Sequence, residues 1–129
     1  LVDGGWTIED SISLAKRMKL EGADIIDCSS SGIVPYAKVK AGAGFQVPFS
    51  EAVRKGTGIL TATVGMITDP MQTDELIRND RADIVLLGRE LLRNPYWPFN
   101  AARAVAQADK VFVPPQYWRA IPGGSNRKG

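Results

Sequence analysis

Apolar residues along the chain recur at helical spacing, then bunch into short runs, and the two patterns alternate to the end. Ile8, Ile12 and Ala15, with Met18 extending the stripe, predict a first helix. Thr7 and Asp10 have the spacing of a capping box at its start, and Gly22 is placed to stop it. The run "ADIIDCSS" then reads as a short buried strand from about Asp24 to Cys28. "SSGIVPYAKVKAGAGFQVP" follows with no clear period, a connection of roughly 18 residues, and loops that long inside a compact domain are usually functional. A helix is expected from Pro48 to Lys55, closed by Gly56, and "ILTATVG" is the next strand, ending at Gly65. Asp69 and Pro70 form an N-cap and first-turn pair for "PMQTDELIRND". "ADIVLLG" is the third strand and "RELL" a short helix after it. Asn94-Pro95 opens the last helix, with Phe99, Ala102 and Ala106 facing inward, and the tail from Val111 offers little regular structure.

Strands and helices therefore alternate, and the strand runs "DIIDC" and "DIVLL" lack polar alternation beyond their first residues. That is the pattern of parallel strands covered on both faces. In such α/β sheets every strand ends on one edge, and binding sites gather there. Three strand ends meet on that edge. The first brings Ser29, Ser30 and Ser31, the second Gly65, the third Gly88 and Arg89. Glycines admit close backbone approach to an anion, serine hydroxyls donate, and a guanidinium can pair two donors with phosphate oxygens. Each also has a plain structural reading. Gly65 and Gly88 can be simple strand-to-helix turns, Ser29 to Ser31 ordinary turn residues, and Arg89 a surface partner of Glu90 or Glu51.

Composition narrows the class without naming a reaction. The chain has 129 residues, 44% hydrophobic and 23% charged, which describes one globular domain or a piece of a larger one. Its net charge of +2 is spread along the chain and argues against a nucleic-acid surface. No apolar run approaches membrane-spanning length. The single cysteine, Cys28, cannot form an internal disulfide and is compatible with a cytoplasmic location. With no histidine in the chain to activate it, Cys28 reads as a small packed residue rather than a nucleophile. Asp24, Asp27 and Asp83 sit at strand starts and ends, so no metal site is expected of them. Tyr96, Trp97 and Phe99 read as packing surface. The Gly-x-Gly of "AGAGF" lacks the strand-then-helix context of a dinucleotide fingerprint. The chain begins at Leu1 without an initiator methionine, which leads us to expect a fragment.

With those residues in view, the chain resembles the C-terminal part of the Old Yellow Enzyme family, in its bacterial NADPH dehydrogenase (YqjM-like ene-reductase) branch. The stretches that carry the likeness are "GADIIDCSSSGIVP", "GFQVPFSEAVRK", "TATVGMIT", "RADIVLLGRELLRNPYWP" and "PPQYWRA", which together cover most of residues 3 to 119. The resemblance implies an α/β fold, the last three strands of a (β/α)8 TIM barrel that binds FMN at its C-terminal face. Residues 1–113 would belong to the barrel and 114–129 to an extended tail. By resemblance, Gly88 and Arg89 hold the FMN phosphate with backbone near Gly65 and the serine turn Ser29, Ser30 and Ser31. Arg119 would reach the active site of a neighbouring subunit in a homo-oligomer. The implied reaction is reduction of FMN by NADPH, then reduction of the C=C bond of an enone-type small molecule. The family's substrate-binding histidine pair, tyrosine and flavin-tuning cysteine lie upstream, so no catalytic residue is carried over and the rest of the barrel is an expected partner. Two other readings stay open, a phosphate-binding half barrel of another TIM-barrel enzyme and a stand-alone nucleotide-binding module.

Overall fold

A computed structural model of the chain describes residues 3–30 and 32–120. Its elements run in the predicted alternation: α1 (Ile8–Leu20), β1 (Ile25–Cys28), α2 (Val47–Thr57), β2 (Leu60–Thr63), α3 (Pro70–Arg78), β3 (Ile84–Val85), α4 (Arg89–Arg93) and α5 (Trp97–Ala104). The three strands form one parallel sheet in the order β1-β2-β3. Both outer strands leave one side unpaired among the described residues. No helix among these residues is long and apolar enough to cross a membrane.

Local chemistry explains most element ends. Thr7 accepts the Asp10 N–H at 3.2 Å while the Asp10 carboxylate accepts the Thr7 N–H at 2.9 Å, so the capping box is complete. Those bonds hold the Asp10 carboxyl below the usual range. Asp69 accepts the Gln72 N–H at 2.8 Å and Pro70 fills the first turn of α3. Gly22, at φ 96°, follows α1 as expected. The end of α2 corrects the sequence expectation. Gly56 lies within the helix and Gly58, at φ 62°, terminates it. A Cβ on Gly56 would come within 2.9 Å of Ile12 Cγ2, so this glycine lets α2 lie close against α1. In α5 the buried face is Trp97 and Ala101, while Phe99 and Ala102 are only half-buried. Ala106 lies beyond the helix, exposed and at φ 55°, so the predicted inward stripe was offset. The tail forms a 3-10 helix at Pro115–Ala120, and Val113 before it is buried.

Two apolar clusters lie between the sheet and its helices. Ala15, Cys28, Val53 and Ile59 form one, with Ile26 and Phe49 packed against it. Val47, Ile67 and Leu76 form the other, with Val85 and Leu87 alongside. Register explains the division, because Ile26 pairs with Thr61, Cys28 with Thr63 and Thr63 with Val85, all turned toward the helices. The opposite face carries Ile25, Leu60 and Ile84, with relative exposures of 37%, 52% and 47%, around the small, buried Ala62. The strand runs predict cover on both faces, yet among the described residues the large side chains of the second face stay exposed. All the helices that contribute to these clusters pack on the same side.

Polar ties hold α2 across the sheet. Arg54 donates to Asp83 through Nε at 3.0 Å and Nη2 at 3.1 Å, and also reaches Asp80 at 3.1 Å. Asp83 further accepts the Thr61 N–H at 2.9 Å. Glu51 bridges Lys55 and Arg81. Asp83 thus ties α2 and β2 to the start of β3.

Candidate functional site

The register sets Cys28, Thr63 and Val85 in one row, so the chain leaves all three strands at the same edge. Ser29 and Ser30 follow β1, Val64 and Gly65 follow β2, and Leu86 to Arg89 follow β3. Five of the six edge residues expected from sequence are therefore brought to one side of the sheet. Ser31 lies outside the described residues.

The end of β2 is the most constrained part. Gly65 is at φ 121°, a conformation that side chains rarely adopt. It is also buried beneath the long loop, where an added Cβ would meet the Phe45 ring at 3.1 Å and Gln46 Cγ at 3.2 Å. Its carbonyl accepts the Gly44 N–H at 2.7 Å. The "AGAGF" stretch therefore folds the long loop back over β2. Gln46, itself buried, accepts the Ser30 N–H through Oε1 and so joins the first two strand ends. On the other side, Trp97 Nε1 donates to the Thr68 carbonyl at 2.7 Å, pinning α5 to the segment after β2. β3 makes a short ladder because its neighbour turns away at Gly65, leaving Leu86 N–H to Thr63 O at 2.8 Å as its last bond to β2.

Gly88 and Arg89 contrast with this crowding. Nothing lies within 4 Å of a Cβ built on Gly88, so the fold leaves open space there. Arg89 is exposed, and the carboxylates that could have neutralised it are engaged elsewhere. Glu90 pairs with Arg93 at 2.8 Å, and Glu51 with Lys55 and Arg81. Among the described residues the Arg89 guanidinium has no hydrogen bond or ion pair. Beside it runs an apolar cleft of about 460 Å³, with Val64, Leu87, Gly88, Leu91 and Trp97 in its walls. This edge thus offers a free guanidinium, a glycine with space before it, two serines and an apolar wall. Such a set suits a phosphate joined to a largely apolar body. α4 has only five residues, so its dipole adds little.

Cys28 ends β1 facing the helix layer. Burial, helped by the Asp27 carboxylate, pushes its thiol up to about 11, which agrees with a packed residue rather than a nucleophile. Arg119 is exposed on the tail's 3-10 helix, and no bond joins it to the edge residues among those described. Sequence reasoning missed Gln46. A glutamine immediately before a Val-Pro helix start was the available signal, but its partner Ser30 is 16 residues away.

The profile of the NADH:flavin oxidoreductase / NADH oxidase family matches residues 1–108. An NADPH dehydrogenase of Geobacillus sp. (strain WCH70) is 52% identical over 115 residues, which is 89% of this chain and 33% of that protein. The NADPH dehydrogenase of Halalkalibacterium halodurans is 47% identical over 118 residues, 92% of this chain and 34% of the relative. That of Listeria monocytogenes serovar 1/2a is 44% identical over 117 residues, 91% of this chain and again 34% of the relative. The chain spans about a third of the length of the curated relatives it matches.

Proposed function

We propose, from the premise that the chain belongs to the NADH:flavin oxidoreductase / NADH oxidase family, that it is the FMN-phosphate-holding part of an FMN-dependent NADPH dehydrogenase. The observation that carries this reading is Arg89, exposed and without a partner among the described residues, beside the open space at Gly88. A guanidinium offers paired N–H donors to phosphate oxygens, and Gly88 lets the ligand approach the backbone. Ser29 and Ser30 supply hydroxyl donors from the neighbouring strand end. Gly65 keeps the edge between them low, and the apolar cleft beside Gly88 accepts the non-ionic part of the cofactor. When bound, FMN supplies the two-electron store that couples NADPH oxidation to reduction of an activated C=C bond.

In this reading residues 1–113 belong to the last three βα units of a closed barrel and 114–129 to a tail, of which 121–129 lie outside the described residues. The bare row Ile25, Leu60 and Ile84 and the unpaired outer strands support it, since a closed barrel would bury that row and pair those edges. The donors for the reacting carbons would come from the rest of the polypeptide, and Arg119 from the tail of a neighbouring subunit.

Two measurements on the complete polypeptide test these assignments. Titration of apoprotein with FMN is expected to show affinity weakened by about 1.5–3 kcal/mol in Arg89→Ala, the range for a hydrogen bond to a charged group. Gly88→Val should weaken it as well, by filling the open space. Unchanged affinity in both variants would sink the phosphate assignment. For the tail, Arg119→Ala should raise KM for an enone while leaving FMN content intact. Mixed oligomers, pairing Arg119→Ala with a subunit whose own site is dead, then read out which site the arginine serves. Loss of activity confined to the variant's own site would refute action across the interface.

A further inference from the structure

A second cleft, of about 510 Å³, opens beneath the long loop between β1 and α2. Lys38, Lys40, Phe45, Phe49 and Ser30 line it, together with Asp3. Its volume lies in the range of small-molecule sites. Three lysines elsewhere have partners. Lys19 donates to the carbonyls of Thr57 and Gly58, Lys55 pairs with Glu51, and Lys110 with Asp109. Lys38 and Lys40 have no such partner among the described residues and lie two residues apart in the same loop. Two unpaired ammonium groups over a shared cleft suit a multiply charged anion. The half-buried rings of Phe45 and Phe49 suit a planar group stacked or packed beside it. Asp3, the carboxylate in this lining, would accept from hydroxyls and keep a phosphate toward the lysines.

Ser30 belongs both to this cleft and to the strand-end row, so the two sites adjoin. We propose that the cleft holds the 2′-phosphoadenosine end of NADPH, with Lys38 and Lys40 on the 2′-phosphate and Phe45 and Phe49 against the adenine. The inference rests on the NADPH dehydrogenase reading and deepens it, because it assigns the preference for the phosphorylated nucleotide to this chain. No covalent step is involved; the residues bind and orient.

The test compares oxidation of NADPH and NADH by the complete flavoprotein with that by its Lys38→Ala/Lys40→Ala variant. The expected result is a KM for NADPH raised about tenfold or more, with KM for NADH and FMN content unchanged. A Lys38→Arg/Lys40→Arg variant should keep the preference. In parallel, 2′,5′-ADP is titrated into each protein by calorimetry, and should bind the wild type and bind the alanine variant correspondingly more weakly. Equal changes in both KM values would place the lysines on the shared pyrophosphate and overturn the proposal, as would no change at all. Absence of 2′,5′-ADP binding to the wild type would also overturn it. Failure of NADPH to reduce the wild-type flavin would instead sink the dehydrogenase reading, and the titration would then decide the cleft by itself.

Discussion

Asp83 stands where a strand start, a helix face and a neighbouring strand meet. It accepts two bonds from Arg54 and one from the Thr61 N–H, and Arg54 chiefly holds its carboxyl below the ordinary value of 3.8. A carboxylate whose pKa is lowered by folding stabilises the fold above its unfolded pKa. That contribution begins to fade as pH falls below 3.8 and is gone below the folded value. Asp83→Ala is therefore expected to cost about 1–3 kcal/mol at pH 7, from lost charge-assisted bonds and an unpaired Thr61 N–H. The deficit should shrink at pH 3, as urea unfolding at the two pH values would check. The sequence places Asp83 correctly at a strand start but hides its partner, since Arg54 lies 29 residues earlier and meets it only once α2 is docked. Arg89 illustrates the same limit. Its position after a strand is legible, whereas its freedom depends on Glu51 and Glu90 being taken by Arg81, Lys55 and Arg93.

Helices are legible where the cause is local and shift where it is tertiary. Thr7, Asp69 and Gly22 are read correctly because each acts within one turn of its own helix. Gly56 reads as a stop because glycine usually is one, and the real reason for it is Ile12 on another helix. This inverts the expected effect of a common stabilising change. Alanine for glycine inside an exposed helix gains up to about 1 kcal/mol. Here the new Cβ would press on Ile12 Cγ2, a branch fixed to its own Cβ that cannot swing away without a new rotamer. Gly56→Ala should therefore destabilise by about 1 kcal/mol, within the range for overpacking. Combined with Ile12→Ala it should cost less than the sum of the two single changes, which a double-mutant cycle in urea measures. Additive losses would show that α1 and α2 do not meet at this point. In α5 the run Trp97 to Ala106 holds several apolar residues, and only the docking of Trp97 on Thr68 selects which of them face inward.

At the scale of the whole molecule, the order of elements and the parallel sheet are legible, because strand runs and capped helices alternate without interruption. Which faces are covered is not, since a run such as "DIVLL" is apolar on both sides whatever lies against it. The row Ile25, Leu60 and Ile84 leaves apolar surface open, and both outer strands present unpaired backbone groups among the described residues. The isolated 129-residue chain is accordingly expected to self-associate and to bind an apolar dye, with weak FMN retention and no enone turnover. Sedimentation and dye fluorescence would show it, and co-expression with the rest of the proposed barrel should suppress both signals. A monomeric, cooperatively melting chain that oxidises NADPH with an enone would overturn this.

The Cys28 thiol gives the chain a clock. Its fold-raised pKa, about 11 against an ordinary 9.0, makes its burial stabilising below pH 9.0, a contribution lost as pH climbs through 11. At pH 8 only on the order of one thiol in a thousand of the folded form is ionised, and a maleimide or disulfide reagent needs the thiolate and access to it. Labelling must then wait for β1 to part from its neighbours, and its rate counts those openings. Because Cys28 directly precedes Ser29 and Ser30, an anion gripped at the strand ends should slow the clock without touching the sulfur. Occupancy could thus be timed with no optical signal from the ligand.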